Sequence, residues 1–146
     1  MKPIAVIGLG NPLMGDDGIG WHVAGRLAAD PRLPDGVEVI QGGSDLLRCA
    51  ARIEGRRRVI VVDAVRDDVT PPGAVSVIGE GEADERQGHA HHLSAAQAMG
   101  LLRMTMPVSF TLLAVSVGEI RMGEELSPEL AARMPAILDR VFEEIG

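Results

Sequence analysis

Two acidic residues and one histidine give this chain a set of hard metal ligands. Asp17 lies in the run Gly8-Leu9-Gly10-Asn11-Pro12-Leu13-Met14-Gly15-Asp16-Asp17-Gly18-Ile19-Gly20. Asp63 ends the apolar run Val59-Ile60-Val61-Val62, and His91 stands just ahead of a helix start. Two carboxylates and one imidazole, delivered from loops, can hold a divalent ion through an incomplete shell that leaves coordination positions open. The positive end of the following helix disfavours an imidazolium at His91, and the neutral ring is the form that binds metal. His22 falls inside a helical pattern and reads as structural.

The glycine run could also suggest a dinucleotide site. That fingerprint needs a third small residue three positions after the second glycine, and Leu13 stands there. The longer loop brings Asp16 and Asp17 to the positive end of the next helix, where they would repel a pyrophosphate. The loop therefore reads as a device for presenting a carboxylate. Asp17 is the candidate ligand, and Asp16 fits a cap on that helix.

These residues need a scaffold, and the apolar pattern supplies one. Pro3 to Ile7, Val37 to Ile40, Val59 to Val62, Ala74 to Ile78 and Ser109 to Val117 read as strands. Ile19, Val23, Ala24, Leu27 and Ala28 recur at helical spacing. Ser44 fits the cap of a helix running to about Ile53, with Asp45 favourable in its first turn. Ser94-Ala95-Ala96-Gln97 fits a capping box with Leu93 as its staple, and the helix it starts should end near Met104. Ser127-Pro128 opens a final amphipathic helix in which Pro135 predicts a kink.

The order predicts one α/β domain spanning residues 1–146. Its twisted, mostly parallel five-stranded sheet carries helices on both faces. Ala74–Ile78 follows its predecessor without a helix, which allows an antiparallel edge. Strands one and three commonly adjoin in such sheets, so Asp17 and Asp63 are expected to meet at the crevice beyond their carboxyl ends.

Composition narrows the function. One Trp, two Phe and no Tyr leave an aliphatic core. A net charge of −7 and a single lysine disfavour nucleic acid as a partner. Arg56-Arg57-Arg58 reads as the solvated start of a strand. Cys49 is the sole cysteine, which excludes an intrachain disulfide, and it reads as a small buried hydrophobe. No signal segment or membrane-length apolar run is visible, so a cytoplasmic protein is expected. Gly79 to Gly88 reads as an acidic loop able to order on substrate binding.

The Gly-Leu-Gly-Asn-x-Leu-x-x-Asp-Asp-Gly-x-Gly stretch, the strand ending Asp63-Ala64 and His91-His92-Leu93-Ser94 resemble the hydrogenase maturation proteases. The resemblance runs in order along nearly the whole chain and extends to Pro135. It implies that Asp17, Asp63 and His91 bind metal and that Asp17 and Asp63 are the catalytic carboxylates. It also implies an endopeptidase that recognises nickel already placed in the large-subunit precursor of a nickel-iron hydrogenase and removes a C-terminal extension. The nickel would arrive with the substrate, and no organic cofactor is implied.

Two segments depart from the family pattern. Gln41-Gly42-Gly43-Ser44 replaces an Asp-Gly-Gly-Thr tied to substrate recognition, which makes Gly42, Gly43 and Ser44 the candidate substrate contacts. Gly118-Glu119-Ile120-Arg121 lacks a proline often found there. Two other readings compete. A peptidyl-tRNA hydrolase-like esterase shares the Gly-Leu-Gly-Asn-Pro opening but uses several asparagines, and Asn11 is the only one here. A non-enzymatic small-ligand-binding module would suit the same fold.

Overall fold

A computed structural model of the chain describes residues 1–78 and 94–146. Its strands are β1 (Ile4–Leu9), β2 (Val37–Gly43), β3 (Arg58–Arg66), β4 (Val75–Ile78) and β5 (Ser109–Val117). Its helices are α1 (Ile19–Ala28), α2 (Ala50–Ile53), α3 (Ala95–Arg103), α4 (Pro128–Ala132) and α5 (Met134–Ile145), with 3-10 turns at Gly15–Gly18 and Leu46–Cys49. The sheet order is β2-β1-β3-β5-β4. All neighbours are parallel except β4, which runs antiparallel to β5 at the edge. The α/β sheet, the adjacency of β1 and β3 and the antiparallel edge all agree with the sequence pattern.

Successive side chains of a strand point to opposite faces, and the core divides accordingly. Ile7, Val59, Val61, Phe110 and Leu112 pack with Leu46, Ile53, Met99 and Leu102 on one face. Val6, Ile60, Val62, Leu113 and Val115 pack with Ile19, Val23, Leu27, Leu130 and Ile137 on the other. Because β1, β3 and β5 are covered on both sides, they read as continuous apolar runs rather than alternating ones. Among the described residues, no helix is long and apolar enough to cross a membrane.

Several local expectations are corrected. Asp45, not Ser44, is the cap: its carboxylate accepts from Leu47 N at 3.0 Å. β2 continues through Gly42 and Gly43, three residues past its expected end at Ile40. The last helix is not merely kinked. It breaks at Arg133, because Pro135 has no N–H to offer Ala131 and its ring would crowd that carbonyl.

Arg56 is buried rather than solvated. It pairs with Glu38 and donates to the Lys2 and Arg52 carbonyls, clamping the starts of β1, β2 and β3 together. The Ser94–Gln97 capping box forms as expected, whereas the Leu93 staple and the 79–88 loop lie outside the described residues.

Candidate functional site

Close packing of α1 against the sheet delivers Asp17. Gly10 has φ +134, a conformation that L side chains rarely adopt, and a Cβ there would stand 2.2 Å from the Asp17 carbonyl oxygen. The glycines thus let the loop fold back tightly on itself. Asn11 N donates to Asp17 Oδ2 at 3.1 Å, which orients the carboxylate over the carboxyl end of β1.

Asp63 was expected at the end of its strand, but β3 runs on to Arg66. Its position at the crevice arises differently. Pairing with β1 stops at Gly8–Val62, while pairing with β5 continues to Arg66–Val117. Asp63 is therefore the first β3 residue beyond the shared ladder. Burial pushes its carboxyl up to about 7, opposed by the Ala64 N–H it accepts and reinforced by the negative charge of Asp17.

The charge of Asp17 is thus felt at Asp63, as the adjacency of β1 and β3 leads one to expect. No cationic side chain among the described residues offsets it. Among the described residues, no group of three or more His, Cys, Asp or Glu stands ready to hold a metal. Asp17 and Asp63 are the two candidate ligands among the described residues, and His91, the expected third, lies outside them.

Asp16 has a structural role that the sequence did not disclose. It does not cap α1, whose N-cap Gly18 has no side-chain bond. Instead it is buried, with Oδ1 accepting from Ser127 N and Oδ2 from Ser127 Oγ, both at 2.7 Å. Ser127 in turn caps α4. The Ser127 cap was legible, but its partner 111 residues away was not. Asp16→Ala should cost about 2–3 kcal/mol in urea unfolding, the scale of hydrogen bonds to a charged group. Asp17→Ala should cost less than half as much, because it loses only the Asn11 contact.

Gly42 and Gly43 lie on the same rim as the glycine loop, since Gly10 N donates to Gly43 O at 2.8 Å. Ser44 is exposed beside them. Gln41 donates from Nε2 to the Trp21 carbonyl at 3.1 Å, fastening β2 to α1. Cys49 is buried against Gly42, and burial pushes its thiol up, which makes it a packing residue rather than a nucleophile. His22 buries its Nε2 without a hydrogen-bond partner among the described residues.

A groove of about 750 Å³ is lined by neither Asp17 nor Asp63 but reaches the adjoining Asp16. Gly15, Asp16, Gly118, Glu119, Met122 and Ser127 are among its walls. Glu124, Glu125 and Glu129 also line it, and its one arginine, Arg121, is paired with Glu119. Sequence patterning gave no sign of it, because the loop between β5 and α4 has no periodicity.

Comparison with known proteins agrees with this geometry. Residues 21–144 match the family model described as hydrogenase maturation protease, HycI, a match that rests on chain beyond the glycine run. The hydrogenase 2 maturation protease of Escherichia coli K12 is 27% identical over 144 residues, covering 95% of this chain and 88% of that protein. The solved hydrogenase maturating endopeptidase HybD from E. coli superposes with a TM-score of 0.79 at 26% identity, covering 99% of this chain and 92% of that one. A hydrogenase 2 maturation peptidase from Thaumarchaeota archaeon SCGC_AB-539-E09 gives 0.74 at 29% identity, covering 99% of both chains. These matches set aside the peptidyl-tRNA hydrolase-like and ligand-module readings. The chain belongs to the hydrogenase maturation protease family and is a peptide-bond hydrolase of hydrogenase maturation.

Proposed function

We propose that this peptidase acts on the nickel-loaded large-subunit precursor of a nickel-iron hydrogenase and removes a C-terminal extension. The observation that carries this reading is the uncompensated carboxylate pair. Asp63 is partly buried beside the charge of Asp17, and no cation among the described residues lowers its carboxyl. The Asp63 carboxyl resists ionisation until a cation reaches it. A divalent ion presented by the precursor relieves both the repulsion and the burial cost, so docking favours precursor that already carries its metal.

Asp17, Asp63 and His91 hold that nickel through an incomplete protein shell, which leaves room for ligands from the precursor. The bound ion supplies Lewis acidity near the scissile carbonyl. A carboxylate oxygen free of the ion accepts the proton of the attacking water. Gly42, Gly43 and Ser44, on the rim held by Gly10, contact the precursor. No nucleic acid takes part, and the reaction has no need of an organic cofactor.

Intact-mass analysis of purified precursor incubated with this chain tests the proposal. Nickel-loaded precursor should lose its C-terminal extension, and nickel-free precursor should stay whole. Equal cleavage of both forms would remove metal recognition from the mechanism, and cleavage of neither would remove the substrate.

A further inference from the structure

Among the described residues, β3 has an unpaired backbone edge just past Asp63. In a parallel ladder, alternate residues turn both backbone groups to one neighbour or the other. Arg58 N donates to Pro3 O at 3.2 Å on the β1 side, while Asp67 N donates to Val117 O at 3.0 Å on the β5 side. Even-numbered residues of β3 therefore face β1, and odd-numbered ones face β5.

Pairing with β1 ends at Val62, so Ala64 and Arg66 aim their backbone groups into space β1 has left. The next β1 carbonyl, that of Leu9, is packed against Gly20 of α1 instead. Ala64 N turns to Asp63 Oδ1 at 2.9 Å. The Ala64 carbonyl and both backbone groups of Arg66 have no hydrogen-bond partner among the described residues. Ala64 is partly exposed and Arg66 exposed, so no described residue closes the edge to a ligand.

We infer that the Ala64–Arg66 edge binds an extended segment of the precursor by strand addition, which lays the scissile peptide across Asp17 and Asp63. This inference rests on the substrate reading above. An unpaired strand edge recognises main chain rather than particular side chains, so it suits a segment defined by its position beside a metal. The acidic groove includes Gly118, the residue after the one that pairs with Arg66. Glu124, Glu125 and Glu129 of its lining have no ion-pair partner among the described residues, so a segment leaving the edge there should be basic.

The test exploits a donor that the β5 ladder does not use. Arg66→Pro removes the outward N–H, and Arg66→Ala keeps it while removing the side chain. With nickel-loaded precursor, Arg66→Pro should raise KM at least tenfold, whereas Arg66→Ala should leave it within about twofold. Hydrogen exchange provides a second readout that does not depend on the proline variant folding. The Arg66 amide of an otherwise intact chain carrying Asp63→Asn should exchange quickly alone and slowly with precursor bound. Wild-type KM in a folded Arg66→Pro variant, or an Arg66 amide unprotected in the complex, would overturn strand addition while leaving the substrate reading intact. Failure of the wild-type chain to cut the precursor at all would overturn both.

Discussion

Asp63→Asn should reduce precursor cleavage by at least about a hundredfold, the scale of losing one electrostatic group from an active site, and should make the fold more stable at pH 8. The second effect follows from linkage. The Asp63 carboxyl titrates near 7 in the native chain because of burial first and the charge of Asp17 second, against 3.8 as the ordinary value. Between about pH 4 and 7 the unfolded chain has released this proton and the native chain has kept it. Stability therefore falls as pH rises through that window, and above about 7 the full penalty is present, on the order of a few kcal/mol.

Asparagine has no charge to desolvate and keeps an oxygen for the Ala64 N–H. Thermal melts of wild type and Asp63→Asn should nearly coincide at pH 4 and separate at pH 8, with the variant higher. Asp17→Asn should bring part of the same relief, seen as a lower titration midpoint for Asp63. Coincident melts at pH 8 would mean that Asp63 does not sit in a charge-hostile site. The gain in stability at the expense of activity is the pattern expected where a site is kept ready for a ligand it lacks in the free protein.

Gly20→Ala should cost about 3 kcal/mol or more, within the range of severe overpacking. A Cβ at Gly20 would lie 2.1 Å from the Leu9 carbonyl oxygen and 2.3 Å from that of Val62. Both oxygens belong to the sheet backbone, so no side chain can swing aside. α1 would have to lift away, carrying with it the turn that presents Asp17. Urea unfolding should show the loss, and the residual folded enzyme should cut more slowly. Gly100→Ala is the control: on α3 a Cβ meets nothing within 4 Å, and alanine favours helix there. A Gly20→Ala variant as stable as wild type would show that α1 does not need this close approach.

The sequence made the adjacency of β1 and β3 legible, and with it the placement of the candidate carboxylates, Asp17 in the loop after β1 and Asp63 within β3. It also made β4's antiparallel run legible, since no helix separates it from β3. Contacts without local periodicity were hidden. Asp16 reaches Ser127 across almost the whole chain, and Arg56 leaves a string of arginines to pair with Glu38 in the interior. The length of β3 was hidden for another reason: Asp63 resembles a strand terminator, yet β5 continues to pair past it. That overrun creates both the depth at Asp63 and the open edge at Ala64 and Arg66.

Anomalous diffraction from crystals of the chain with nickel tests the shared ion most directly. One nickel should appear within about 2.0–2.2 Å of a carboxylate oxygen from Asp17, another from Asp63 and a ring nitrogen of His91. Nickel bound only at other residues, or the Asp17 and Asp63 carboxylates turned apart with no ion between them, would contradict it.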